Sequence, residues 1–505
     1  MDSPPAAQPT APSPVSRLSR ALLVAAFIAY AVFLMLHMGA HAGGSDSSGY
    51  LNSARLLGHG QTSVAQRIPA SLEPKSFDSF TFIPLGFRPM PGARMAPTYP
   101  IGLPLALSTL AAISSWQVAP PFVMLVSVLA SVALMIPLGR AAGLPRGWSV
   151  FGALLFAASP LTTFMSLQLM SDIPATALAT AAILCAWHSR AQRSWALLAG
   201  MGFAISVLIR PSNFLLLAPV AVCLGTDWRR WLLFGAGGFP GSVVQLAYNA
   251  HAYRDPLTSG YGYGLSTKFS LSIIPATLAH YVQWLPVLLT PVGFFTLVLP
   301  WRGRHRRFTW VLTSWIIVIF GFYLSYFHTH ETWWYLRFVL PAFPPFLVGG
   351  LWVLHLLWVS YGASRFTRPL LKRSLALAAG IVAFLHGAFW HHRLHAASIG
   401  QGEFIYPQTM DWARAHLPSN AIILTLQTSG ALQYYTDYAF IRWDALNADS
   451  FARLTAAAMH AHQPIFAILF PHEIEPVLQI HTTGHWTRFD AINHMTIWQW
   501  SPERT

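Results

Sequence analysis

Four apolar runs without a formal charge, Ala21 to Met38, Pro121 to Leu138, Pro275 to Leu299 and Phe308 to Phe327, constrain this chain more than any motif. Each approaches or exceeds the roughly 18 to 20 residues that carry a helix across the hydrocarbon of a bilayer. Lipid offers backbone N–H and C=O groups no water to bond, so such runs must satisfy themselves as helices. With 10% charged and 54% hydrophobic residues, against about 25% charged in soluble domains, the expected class is a polytopic α-helical membrane protein. The first run is longer than the apolar core of a signal peptide. Although Ala40-His41-Ala42 resembles a cleavage site, the run is read as an uncleaved first span.

A formal net charge of +14 raises the question of a nucleic-acid partner, and the placement of the charge answers it. Basic residues sit between the apolar runs: Arg17 and Arg20, Arg140 and Arg146, Arg190 and Arg193, Arg229 and Arg230, Arg302 to Arg307, and Arg365 to Arg373. Loops of this kind mark the cytoplasmic side, so the charge reports topology and no nucleic acid is expected. Alternating outward from these anchors predicts about eleven spans, a cytoplasmic N-terminus and an external segment after Arg393. The expected location is the cytoplasmic (inner) membrane.

Two places strain that count. Ile101 to Ser115 is short for a span and is expected to be re-entrant or interfacial, whereas Trp195 to Leu224 is split by Arg210-Pro211. Broken helices persist at membrane depth only beside protein or a water-filled cavity, which predicts a hollow in the outer half. Residues 1–16 are rich in Pro, Ala and Ser and are expected to be disordered. Residues 17–392 form the predicted membrane domain, with a first external loop over 39–100. Cys185 and Cys223 both fall in predicted spans, so no disulfide framework is expected outside.

Residues 393–505 differ in composition, with six Lys or Arg and nine Asp or Glu, against twenty-five and eight before them. Periodicity predicts helices over Pro407 to Leu417 and Ser450 to Ala461, and strands over Ala421 to Leu426, Ile465 to Phe470 and His494 to Trp500. This is a small extracytoplasmic α/β domain. Without a phosphate loop, metal-ligand spacing or nucleophile elbow, it is expected to be accessory.

The eight acidic residues before Arg393 include Asp46 and Asp172, both close to predicted membrane ends. A carboxylate there is costly unless a site uses it. The plainer alternative is helix capping: Asp172 precedes Pro174, and Asp46 precedes a helix predicted through Tyr50 to Leu57. Arg210 and Arg337 are the outward-side cations least explained by topology. They either snorkel to lipid headgroups or present a guanidinium fork to a phosphate, with Lys268 and Arg254 as lesser helpers. Tyr261 and Tyr263 stand among Gly260, Gly262 and Gly264 in an aromatic, glycine-rich loop. His328-Thr329-His330-Glu331 matches no standard zinc spacing, so no metal ligand is assigned there.

The motifs Gly44-Ser45-Asp46-Ser47-Ser48-Gly49-Tyr50, Thr98-Tyr99-Pro100-Ile101-Gly102-Leu103-Pro104, Met170-Ser171-Asp172-Ile173-Pro174, Leu208-Ile209-Arg210-Pro211 and Trp334-Tyr335-Leu336-Arg337-Phe338-Val339-Leu340-Pro341 occur in that order. Together they resemble the GT-C superfamily of membrane glycosyltransferases, near bacterial relatives of protein O-mannosyltransferases and of aminoarabinose and galacturonic acid transferases. Many relatives carry an acidic pair in the first loop, whereas here Ser47 follows Asp46. The resemblance implies an inverting glycosyltransferase with a polyprenyl-phosphate sugar donor and a glycan, glycolipid or protein acceptor of the cell envelope. It implies a hexosyl or uronosyl donor, with lipopolysaccharide among the acceptors.

On that resemblance Asp46 is the base, and Asp172 positions a substrate or helps hold a metal. Arg337 and Arg210, assisted by Lys268 and Arg254, bind the donor phosphate, while Tyr50, Tyr99, Tyr261, Tyr263 and His330 are substrate-binding candidates. No cofactor is required, though a divalent metal is compatible. The rivals are a transporter or flippase of a lipid-linked substrate, which would pair ionisable residues across mid-membrane helices, and a non-catalytic lipid-binding scaffold.

Overall fold

The computed structural model describes residues 17–262, 267–303, 305–362, 369–480 and 483–502. Apolar composition produces helices as expected. Among the described residues six helices are long and apolar enough to cross a membrane: Arg20–His37, Ala119–Ala141, Leu271–Leu289, Arg307–Leu324, Trp333–Tyr361 and Ser374–Arg393. A seventh results if Arg146–Ala157 and Pro160–Ser166, bent by 60°, are taken as one span. The protein is thus a multi-pass membrane protein by length and composition. The shortfall from about eleven expected spans comes largely from interrupted stretches.

Trp195–Ile209 stops at Arg210, whose φ of −143° and ψ of 100° are extended. Pro211 causes this, because its ring excludes α geometry at the preceding residue and it donates no hydrogen bond. A 3₁₀ turn, Pro211–Leu216, and a short helix, Leu217–Leu224, complete the broken segment. The run from Pro275 breaks similarly at Thr290, where φ is +62° ahead of Pro291. Gly102–Ile113 is a helix of 12 residues, which at about 1.5 Å per residue falls well short of a bilayer.

Small residues allow the closest helix packing. A Cβ on Gly200 of Trp195–Ile209 would meet Phe234 O at 1.9 Å, and one on Gly237 of Trp228–Tyr253 would meet Leu197 O at 2.0 Å. Backbones approach this closely in membranes only where side chains are absent.

The segment after Met38 opens with the helix Ser45–Gly58 and continues into a three-stranded antiparallel sheet, Val64–Ala65, Arg94–Pro97 and Phe87–Met90 in spatial order. The tail forms a five-stranded sheet in the order Ala439–Arg442, Ile422–Thr425, Ile465–Leu469, Met495–Ser501, His485–Ile492. The first three strands run parallel, and Met495–Ser501 pairs antiparallel with both Ile465–Leu469 and His485–Ile492. The central strands Ile422–Thr425 and Ile465–Leu469 are buried throughout, as strands with both faces covered must be.

Sequence periodicity located three of these strands. It missed Ala439–Arg442 and His485–Ile492, the outermost strands of the sheet. The compositional break at Arg393 is not a packing boundary. Leu72 and Phe82 of the first loop share a core with Ile422, Leu424, Ile441 and Phe451 of the tail. Arg442 N donates to Thr81 O at 2.9 Å, and Asn52 Nδ2 donates to Gly430 O at 2.9 Å. The tail therefore clamps the segment that carries Asp46.

Candidate active site

Neither aspartate caps its helix. Gly44 occupies the N-cap of Ser45–Gly58 and Ser171 that of Asp172–His188, with no side-chain cap at either. Released from the backbone, both carboxylates turn to cations. Asp46 Oδ2 accepts from Arg337 Nη1 at 2.6 Å, and its Oδ1 accepts from Tyr99 Oη at 2.5 Å. Asp172, 1% exposed, accepts from Arg210 Nη1 and lies 3.9 Å from Arg337 Nη1 through Oδ2. Four separate elements thus supply an unbroken series: Asp46, Arg337, Asp172, Arg210. The aspartates lie in the first turns of their helices, where the dipole favours negative charge.

The arginines do not snorkel. Arg210 and Arg337 keep only 10% and 16% of their side chains exposed. Aromatic faces line them: Tyr323 and Phe338 lie 5.9 and 5.8 Å from the Arg210 guanidinium, and Phe338 lies 5.2 Å from that of Arg337. Met170 Sδ is 3.4 Å from Arg337 Nη1. Within this series the two positive charges balance the two negative ones. Even so, Nε of each arginine is buried without a partner. A buried donor without an acceptor costs about 1 to 3 kcal/mol or more, so the pairing of these four charges leaves two guanidinium donors unsatisfied.

Burial alone would raise the Asp46 carboxyl, but the Arg337 charge, hydrogen bonds from Tyr99 and Arg337, and the Arg210 charge hold it below its ordinary value. It is a carboxylate at neutral pH. Tyr99 also shares a hydrogen bond with Ser45 Oγ at 2.8 Å and packs 4.8 Å from the Tyr50 ring. Gly49 makes room for it, since a Cβ there would fall 2.3 Å from Tyr99 Cε2. Tyr50 Oη donates to Ser171 Oγ at 2.9 Å, tying the two aspartate-bearing helices together. Tyr261 is close enough to feel the charges of Asp46, Arg210 and Arg337.

Other expected residues lie elsewhere. Lys268 and Arg254 are exposed, and among the described residues no hydrogen bond or ion pair joins either to this cluster. Arg254 takes a left-handed turn, φ +62°, at the end of Trp228–Tyr253. His330 stacks edge-on against Phe327 at 5.6 Å, its Nδ1 buried and unpartnered, while His328 pairs locally with Glu331 at 3.0 Å. Tyr263 lies outside the described residues. Among the described residues no three His, Cys, Asp or Glu side chains come close enough to hold a metal.

Sequence reasoning missed Glu403. Its Oε2 accepts from Ser47 Oγ at 3.3 Å, beside Asp46, and a Cβ on Gly43 would come within 1.8 Å of it. No local pattern could have found this contact, because the tail brings the carboxylate there. Burial pushes the Glu403 carboxyl up to about 7. A folded-state pKa above the unfolded value means that stability falls as pH rises through that window, here from about 4.5 to 7, by roughly 3 kcal/mol. Glu403→Gln keeps a neutral partner for Ser47. Its thermal midpoint should therefore gain on wild type between pH 5 and 8; parallel midpoints across that range would contradict the protonation.

The whole architecture has solved counterparts. ArnT from Cupriavidus metallidurans bound to undecaprenyl phosphate matches with a TM-score of 0.57 at 12% identity, covering 96% of this chain and 98% of that one. The chain has a GT-C fold. The apo state of the same ArnT gives 0.55 at 13% identity over 95% and 98% of the two chains. The Archaeoglobus fulgidus oligosaccharyltransferase in its apo form gives 0.54 at 12%, over 90% of this chain and 70% of that one. No family model and no curated protein sequence matches. The likeness of this chain to its neighbours is carried by tertiary structure.

Proposed function

We propose that this GT-C-type chain is an inverting glycosyltransferase that moves a sugar from a polyprenyl-phosphate carrier to an acceptor hydroxyl of a cell-envelope glycolipid, glycan or protein. Its site would face the outer side of the cytoplasmic membrane, with a cytoplasmic N-terminus and the tail outside. One observation carries the reading: two buried guanidiniums with unpartnered Nε groups stand beside an ionised carboxylate. The fold neighbour bound to undecaprenyl phosphate supports a polyprenyl-phosphate donor.

In this mechanism the acceptor oxygen attacks the anomeric carbon as the bond from that carbon to the phosphate oxygen breaks. The bonding pair leaves with the lipid phosphate, and Asp46 receives the hydroxyl proton. Arg337 holds Asp46 at 2.6 Å before donor arrives, which keeps the carboxylate a weak base. A donor phosphate competing for Arg337 raises the basicity of Asp46 only when substrate is present. Arg210 and Arg337 then stabilise the departing phosphate, and Asp172 keeps Arg210 oriented. The residues here supply that charge stabilisation themselves, so no step is routed through a metal.

Purified protein in lipid nanodiscs, given polyprenyl-phosphate hexose or uronic acid and wild-type envelope extract, should form labelled glycoconjugate and release polyprenyl phosphate. Passage of the intact donor across proteoliposomes without glycosyl transfer would support the transporter instead. The GT-C neighbours do not favour that alternative.

A further inference from the structure

The tail grips the turn ahead of Asp46 at successive residues. Gly39 lies against the Gly400 carbonyl with no room for a Cβ, the Phe404 ring packs 5.2 Å from that of His41, and Ala42 N donates to Tyr435 Oη at 3.0 Å. At the centre of this contact stands Glu403. Its Oε2 accepts from Ser47 Oγ at 3.3 Å and fills space that only a glycine at position 43 leaves open. Ser47 is the residue after Asp46, in the same first turn of Ser45–Gly58. Among the described residues no Lys, Arg or His forms an ion pair with Glu403.

The titratable groups that share its field come from three elements. They are Asp46, Tyr406 from the following helix Ile405–His416, and Tyr435 from Ser429–Tyr435. Beyond them, Arg55 acts on Tyr435 and Glu473 on Tyr406. Asp46 adds to the burial that disfavours ionised Glu403. Such repulsion is mutual: an ionised Glu403 equally disfavours the charge on Asp46 and so makes it more basic.

We propose that Glu403 is a positioning residue for the transfer reaction, a second negative charge that the tail sets beside Asp46 to strengthen it as a base. The proposal rests on the transferase reading above. Arg337 holds Asp46 at 2.6 Å and weakens it as a base, whereas Glu403 acts in the opposite sense through the first turn of the helix. As Asp46 takes the acceptor proton its charge disappears, and the repulsion disappears with it. Ionised Glu403 therefore destabilises the resting site more than the transition state, which lowers the barrier. The cost falls on stability, the usual exchange at a site held under strain.

The test uses full-length protein in nanodiscs, with transfer rates and thermal midpoints measured from pH 6 to 8. Glu403 is neutral below a pKa of about 7 and ionised above it. Wild type and Glu403→Gln should agree within about twofold in kcat at pH 6, and the variant should fall about three- to tenfold behind at pH 8, because the power of a general base follows its pKa. Donor KM should stay level. Gln keeps the contact with Ser47 but not the charge; Glu403→Asp keeps the charge but draws it back from Ser47. Asp should therefore retain more of the pH 8 rate than Gln. The reverse order, or a ratio of wild type to Gln that stays level from pH 6 to 8, overturns the proposal. Stability reads the repulsion without any transfer: the gain in midpoint from Glu403→Gln at pH 8 should shrink in an Asp46→Asn background, and an equal gain in both backgrounds also overturns it. Transfer by wild type with a level ratio sinks this inference alone. A shrinking gain in a protein that transfers nothing sinks the transferase reading and leaves the charge coupling standing.

Discussion

Asp46→Asn is expected to lower the turnover rate of sugar transfer by about 10² to 10⁴, the usual worth of a positioned base. Asn keeps the shape: its carbonyl oxygen can accept from Arg337 while its amide nitrogen donates to Tyr99 Oη, where the carboxylate now accepts from both. It cannot take the acceptor proton. Removing this charge also leaves two cations facing Asp172 alone, so the site becomes more positive. Donor KM should stay level or fall while kcat collapses, and steady-state transfer with labelled donor separates the two. Undiminished kcat in the variant would remove Asp46 from the role of base.

Arg337→Gln is expected to cost about 10² to 10³ in kcat, the measured scale for losing one pre-oriented donor to developing charge. The variant also changes Asp46. The Arg337 charge is the largest influence opposing burial at that carboxyl. Without it burial dominates, and the Asp46 pKa moves up. The acid limb of the pH–rate profile should accordingly shift to higher pH. Arg337→Lys restores charge but not the planar fork, so it should recover part of the pH shift and little of the rate. An unmoved acid limb in Arg337→Gln would mean that Arg337 does not govern Asp46.

Much of the site was legible because charge is rare in this chain. A carboxylate or guanidinium at a membrane end survives only where something compensates it, which singled out Asp46, Asp172, Arg210 and Arg337. The same argument failed for Lys268 and Arg254. They stand on exposed stretches, where a cation costs nothing and its presence signals nothing. Helix capping stayed open as the plainer alternative for both aspartates, because a backbone N–H and a distant guanidinium are both good donors to a carboxylate. Glu403 was unreadable. Its tail looked accessory for want of a catalytic motif, and only packing sets it against Ser47.

The sequence by itself determined the membrane class, the break at Arg210-Pro211 and the identity of the charged residues to be explained. These follow from penalties that act on each residue or its neighbours: hydrocarbon rejects charge, and proline rejects helix. Tertiary structure decided how those charges pair and what the tail contributes. Asp46 meets Arg337 across 291 positions of chain, and Ser47 meets Glu403 across 356. No local propensity reaches that far; such contacts are selected by the packing of whole elements, which brings opposite charges out of water together or not at all.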